Sequence, residues 1–312
     1  MIQEILFASE WTHKEALLRG KVNLAHYTRA SSALGIIENH EIWLTNVGGM
    51  NDLSECRYAR DLLLDLTEGG SDFAVRMGRC MPRLYRALRL ALEATTGPTS
   101  IDEIIRDSSV FCMSEEGPEH LEYGRLSMWR GYGREVPVRL LFKASELSAD
   151  SPDPGAPVVH ILYGPNAVAE ELVSIANGFE QARLHEDNIS DADVNEAVLR
   201  FVIIGSLSIK HPCFSEEAEW RMIHNPQLRP SESVFKTGAN ALRGRIEVVR
   251  KLSTAPNLKF LHNGWADILH SVTIGPCERH GPVINALRLA LDGVPGGNVV
   301  QIHHSNIPFR AG

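Results

Sequence analysis

The sequence predicts an α+β fold, a single domain in which short strands form the core and two helical insertions are added to it. Short strand-like runs bounded by turn residues, the one at 22–28 alternating, recur from residue 22 to residue 303. Two long stretches, about 55–105 and 166–209, carry helical periodicity instead. Composition does not shift along the chain, so residues 1–312 are expected to form one unit.

In order, residues 1–20 read as a helical lead-in and 22–28 as a strand ending in His26-Tyr27-Thr28. Ser31 or Ser32 is expected to cap a helix over 33–38, followed by a strand at 42–45. After Gly48-Gly49, Asp52 and Glu55 have the spacing of a capping box that opens a helical stretch, broken near Gly69-Gly70. Arg76, Arg79, Arg83, Arg86 and Arg89 form a drifting stripe, read as a solvated face with a phosphate patch as the alternative. Strands follow at 109–114, 136–142 and 158–163, with Pro137 at a start or an edge. Helices are expected at 167–184 and at 191–209, the latter capped by Asp191. Beyond an acidic strand, 225–243 reads as linker, 244–249 and 268–274 as strands, 281–291 as a helix and 299–303 as the closing strand.

Net charge is −8 without a basic run, which disfavours a broad grip on duplex nucleic acid. Five cysteines lack CxxC spacing, and no apolar run is long enough for a membrane span. With no secretion signal visible, a cytoplasmic protein with no membrane contact is expected. No phosphate loop, dinucleotide fingerprint or serine-hydrolase elbow is present, and thirteen histidines show no ligand spacing, so no metal site is expected.

Three clusters hold the unusual chemistry. In Phe214–Ile223 (FSEEAEWRMI), strand alternation places Glu217, Glu219 and Arg221 on one face and Trp220 and Met222 on the other. Adjacent carboxylates resist burial unless paired, which points to a ligand. The plainer reading is an edge strand with Glu219 and Arg221 paired on a solvated face. The second joins Ser114-Glu115-Glu116 to Ser127–Gly133 (SMWRGYG), where an arginine between aromatics suits either cation–π packing or a ligand cleft. His26-Tyr27-Thr28 with Asn51–Glu55 is the third, where His26 could equally be a strand-end histidine satisfied by backbone. Asp52, Glu55, Glu216, Glu217 and Glu219 could instead offer oxygens to Mg²⁺.

Together with Ile274-Gly275-Pro276 and Ser305–Arg310, these clusters resemble, in the same order, the bacterial family catalogued as domain of unknown function 2971. The resemblance runs from about residue 24 to residue 310. A more distant likeness is to the ADP-ribosyltransferases, whose middle Ser-Thr-Ser or Tyr-Tyr element has no counterpart here. That likeness implies a mixed, split β-sheet core with helical insertions and NAD as substrate. It implies that His26 meets the adenosine ribose, that Glu219 stabilises the oxocarbenium-like cation and that Glu217 orients the acceptor. His26, Tyr27, Thr28, Asn51, Ser127, Trp129, Arg130 and Tyr132 would hold NAD, with an aromatic stacked on the base. His26, the Trp129–Tyr132 segment and Glu219 should then line one cleft. The implied function is a toxin or antiphage effector modifying nucleic acid or protein, with an antitoxin or defence-system partner. The alternatives are a non-catalytic module binding a nucleotide or nucleic acid, and a metal-dependent hydrolase or nuclease.

Overall fold

The computed structural model describes residues 2–7, 23–49, 53–131, 136–143, 157–228, 235–242, 245–253, 265–278 and 280–308. Its elements run α1 (Ile2–Leu6), β1 (Asn23–Arg29), α2 (Ala30–Asn39), β2 (Glu41–Asn46), α3 (Leu53–Leu66), α4 (Asp72–Cys80), α5 (Pro82–Glu93), α6 (Ile101–Asp107) and β3 (Ser109–Glu116). There follow α7 (Leu126–Gly131), β4 (Pro137–Lys143), β5 (Val158–His160), β6 (Leu162–Tyr163), α8 (Gly164–Ala182), α9 (Asp191–Leu207) and β7 (Ile209–Lys210). A 3-10 turn, Pro212–Glu217, leads into β8 (Glu219–His224), then β9 (Phe235–Leu242), β10 (Arg245–Ser253), α10 (Trp265–Ile268), β11 (Leu269–Ile274), α11 (His280–Asp292) and β12 (Gln301–His304). The α+β class expected from the sequence is the one found, with a mixed, open sheet whose β11–β12 pair is parallel while its other pairs are antiparallel.

The sheet forks at β3. One edge of β3 pairs along its length with β8, from Ser109↔His224 to Ser114↔Glu219. The other edge is shared: β2 takes Ser109 and Val110, and β1 takes Ser114 to Glu116. β1 leads outward through β4 and β11 to β12, and β2 leads outward through β10 to β9. Cys112 lies at the crotch, between the residues paired to the two branches. Its carbonyl takes a hydrogen bond from His26 Nδ1 at 2.8 Å, and the His26 ring stacks on Phe111 with centroids 4.1 Å apart. His26 thus supplies a donor where the fork leaves a backbone acceptor without a ladder partner.

Each face has its own core. Val110, Val159 and Ile223 pack under α3 to α6, α8 and α9. Leu24, Phe111, Met113, Leu140, Phe142, Trp220 and Met222 pack with α2, α10 and α11. Strands buried on both faces lose the alternation of a half-exposed strand, as in β4, where Pro137 through Phe142 are all buried.

Local differences from expectation have physical causes. α2 starts directly after β1 without a side-chain cap, because Ala30 N–H bonds Val136 O at 2.9 Å; Ser31 and Ser32 lie inside the helix. The cap of α9 is Ser190, whose hydroxyl accepts from Asp193 N–H, and Asp191 is the first helical residue. Part of the expected linker is strand β9, formed by pairing to β10 and lacking any alternation of its own. Arg76 bonds Asn177 at 2.6 Å and Arg89 bonds the Leu64 carbonyl at 2.6 Å, so these two members of the arginine stripe fasten helices together. The capping-box position Asp52 and the region 8–22 lie outside the described residues.

Candidate functional site

The acidic segment becomes a turn and a strand, and its charged groups gather into a buried network. Ala218 takes a left-handed φ of 42° between the 3-10 turn and β8, so Glu217 is not on the strand, whereas Glu219 and Arg221 share one of its faces. Arg221 is fork-paired to Glu219, Nε to Oε1 at 2.7 Å and Nη2 to Oε2 at 3.2 Å. Its Nη2 also donates to Glu55 Oε2 at 2.8 Å, and Nη1 caps the end of α9 at Leu207 O, 2.9 Å away. Lys210 Nζ sits among three carboxylates, 2.7 Å from Glu217, 2.8 Å from Glu219 and 3.1 Å from Glu55. Lys210 is therefore the cation that lets Glu217 and Glu219 be neighbours. Tyr163 OH accepts the Glu219 N–H at 2.7 Å.

Burial pushes the Glu219 carboxyl up, but Arg221 and Lys210 outweigh it and bring it down to about 2. For Glu55 burial wins over the same two cations, and its carboxyl is raised. Burial also pushes the Cys112 thiol well up, which keeps it protonated beside Glu219. In this network Glu217 alone among the carboxylates keeps substantial exposure, 33% of its side chain. The Glu55 carboxylate faces Arg221 and Lys210, and Asp52, the other position of the expected capping box, lies outside the described residues.

A second polar region lies beside it. The segment 117–125 and α7 pack against the 3-10 turn, with Arg125 donating to Glu216 O at 3.0 Å and to Glu115 O at 2.6 Å. Tyr123 and Phe214, carried on these two joined segments, are 41% and 37% exposed.

The predicted single cleft is not formed. Ala25, Ser114 and Glu219 are register partners and share a face, so His26, next to Ala25, points to the opposite face, and Thr28 with it. Burial lowers His26 to about 4, so the ring is neutral and donates to Cys112 O. Tyr27 and Trp129 do lie on the face of Glu219, but both are buried and pack edge to face at 4.8 Å. The Trp129 indole N–H donates to Tyr123 O at 2.7 Å, and Tyr27 OH donates to Glu116 Oε1 at 2.8 Å. Neither ring offers a face for a base, which corrects their assignment as stacking groups. Ser127 keeps a shielded hydroxyl with no hydrogen-bond partner among the described residues, and Arg130 is exposed. Asn51 and Tyr132 lie outside the described residues. Lys210, Tyr163, Arg125 and Tyr123 were not singled out by sequence, and Phe214 was read only as the first residue of the acidic stretch; Lys210, Arg125 and Tyr123 lie within a few residues of the clusters, whereas Tyr163 carries no such signal.

Cations occupy the space between the carboxylates, and among the described residues no group of three or more His, Cys, Asp or Glu is placed to hold a metal. Nor is any helix among them long and apolar enough to cross a membrane. Fold and site together define an α+β protein with a forked sheet and a buried ionic network on one face. Its residues 128–222 match the family model described as protein of unknown function (DUF2971), the family the sequence resembles, over the segment that holds Trp129, Lys210, Glu217, Glu219 and Arg221. No curated protein and no solved structure matches the chain.

Proposed function

We propose that this chain is a binding module for a nucleotide or a nucleic-acid end, seated at the rim between segment 117–131 and the turn 212–217. The observation that supports it is the exposure of Tyr123 and Phe214 on two segments fastened together by Arg125. An exposed ring can stack on a base, a contact typically worth about 1–3 kcal/mol per base. Arg130 is at hand for phosphate, and Glu217 for ribose hydroxyls. Glu119, Glu122 and Glu216 are exposed around this rim, which disfavours a long polyanion and suits a short ligand such as NAD, whose nicotinamide ring is cationic.

A second reading, ADP-ribosyl transfer from NAD, draws support from Glu217. This carboxylate belongs to the E-x-E pair, reaches solvent and shares its turn with Phe214. Glu219 is ill suited to the role first given to it, since a carboxylate already neutralised by Arg221 and Lys210 does little for a developing cation. A toxin or antiphage role, acting in the cytoplasm on a nucleic acid or protein acceptor, belongs to this second reading.

Calorimetric titration with NAD, ATP and a short single-stranded oligonucleotide tests the first reading, with Tyr123→Ala and Phe214→Ala expected to weaken binding by about tenfold or more each. NAD turnover, with and without cell extract as acceptor, tests the second. Binding without turnover supports the module. Turnover lost in Glu217→Gln but kept in Glu219→Gln supports the transferase. Absence of both binding and turnover removes both readings.

A further inference from the structure

Beneath the rim, a second set of buried polar groups converges on one carboxylate. Glu116 ends β3 with its side chain fully buried. Tyr27 OH donates to its Oε1 at 2.8 Å and accepts the backbone N–H of Arg125 at 2.8 Å. The Arg139 guanidinium, itself fully buried, lies 3.4 Å from Glu116 Oε2 and donates to the carbonyls of His120 at 2.7 Å and Leu121 at 2.6 Å. Arg125 Nε is 3.6 Å from Oε1. Through these three partners one carboxylate ties the main chain of segment 117–125 to β1 and β4.

We propose that Glu116 is a protonation-controlled latch whose charge state sets how firmly segment 117–125, and with it Tyr123, is held on the sheet. Burial raises the Glu116 carboxyl, the bond from Tyr27 and the charges of Arg139 and Arg125 lower it, and the balance lies at about 6. A segment lifted off the sheet returns this carboxyl to water and to its ordinary value of 4.5. The closed form therefore holds the proton more tightly than the lifted form, and acid favours closure. Between about pH 7.5 and about pH 5.5 that difference shifts the closed-to-lifted ratio by about fourfold.

Among the described residues, the other titratable groups facing Glu116 are Tyr27 from β1, Arg139 from β4, and Arg125, Glu119 and His120 from the segment itself. Tyr27 stays neutral, because burial and the neighbouring carboxylate raise it. His120 is lowered by burial first and by Arg125 next, so its protonation favours the lifted form and opposes the latch. Glu116→Gln separates the two, because it removes the carboxyl titration and leaves that of His120.

Control of ligand affinity by this latch rests on the binding reading above, whereas amide hydrogen exchange on the ligand-free protein tests the latch alone. Corrected for intrinsic exchange, protection across 117–125 should rise about fourfold in the wild type from about pH 7.5 to about pH 5.5, with β4 unchanged. Glu116→Gln should be at least as protected as the acidified wild type at both pH values and gain nothing on acidification. Wild-type protection that stays level or falls overturns the proposal, and so does a Glu116→Gln variant that gains protection as the wild type does. Should the variant fail to fold, the wild-type comparison still decides.

Discussion

Arg221 Nη2 donates to Glu55 Oε2 at 2.8 Å across 166 residues of sequence. The bond joins the first turn of α3 to the middle of β8, and the same guanidinium holds Glu219 and the end of α9. One side chain therefore fastens two helices to the sheet. Buried ion networks of this kind rarely add net stability over an apolar packing, but removing one member is expensive because the remaining charges stay buried.

Arg221→Met should accordingly destabilise the protein by about 3–5 kcal/mol, read from urea denaturation midpoints. It leaves Glu55 and Glu219 with Lys210 as their remaining cation. Glu217→Gln, at the exposed end of the network, should change stability by no more than about 1 kcal/mol. Equal losses in the two variants would show that the network is not organised around Arg221.

Acid should reveal Glu219. Its carboxyl is depressed from the ordinary 4.5 to about 2, so its contribution to stability is fully present above about pH 4.5 and fades as pH falls through about 2. The stability gap between wild type and Glu219→Gln should therefore narrow across that window and stay constant from about pH 5 to pH 7. A gap that closes near neutrality would mean that Glu219 is not the ionised partner of Arg221 and Lys210.

His26 should behave as a structural residue. His26→Ala leaves the Cys112 carbonyl at the fork without its donor and removes the ring from Phe111, a loss of about 1–3 kcal/mol for the unsatisfied acceptor. Calorimetric titration of the folded variant should give ligand affinity within about twofold of wild type. Abolished binding in a variant with an intact melting transition would return His26 to the site.

Gly275 is the close contact that seats Trp129. A Cβ there would stand 2.6 Å from Trp129 Cε3 and 2.7 Å from Pro137 Cγ. Gly275→Ala should displace α7 and cost about 1–3 kcal/mol, with a change in the near-ultraviolet signal of tryptophan. Unchanged melting and spectrum would mean that α7 yields without penalty.

Much of the architecture was legible in the chain. Alternation located β1, and short apolar runs bounded by turn residues located β2, β3 and β11, because a strand's burial is written into its own residues. Helical periodicity located α3, α8, α9 and α11 within a few residues for the same reason. β9 was missed because its pairing to β10 supplies what its sequence, FKTGANAL, does not signal.

For the site, the sequence by itself determined that Glu219 and Arg221 share a face, since alternation along one strand is a local property. It also marked out Glu55, Glu217 and Trp129 as unusual residues near the chemistry. Only the tertiary structure decided what they meet. Register across β1, β3 and β8 turned His26 away from Glu219, and a left-handed Ala218 took Glu217 off the strand. Lys210, on the short strand β7 just after α9, came to rest between three carboxylates. A strand records which of its own residues point together, but not which edge of which neighbour it will pair with, and here that pairing separates the residues that bind one another from those that hold the sheet.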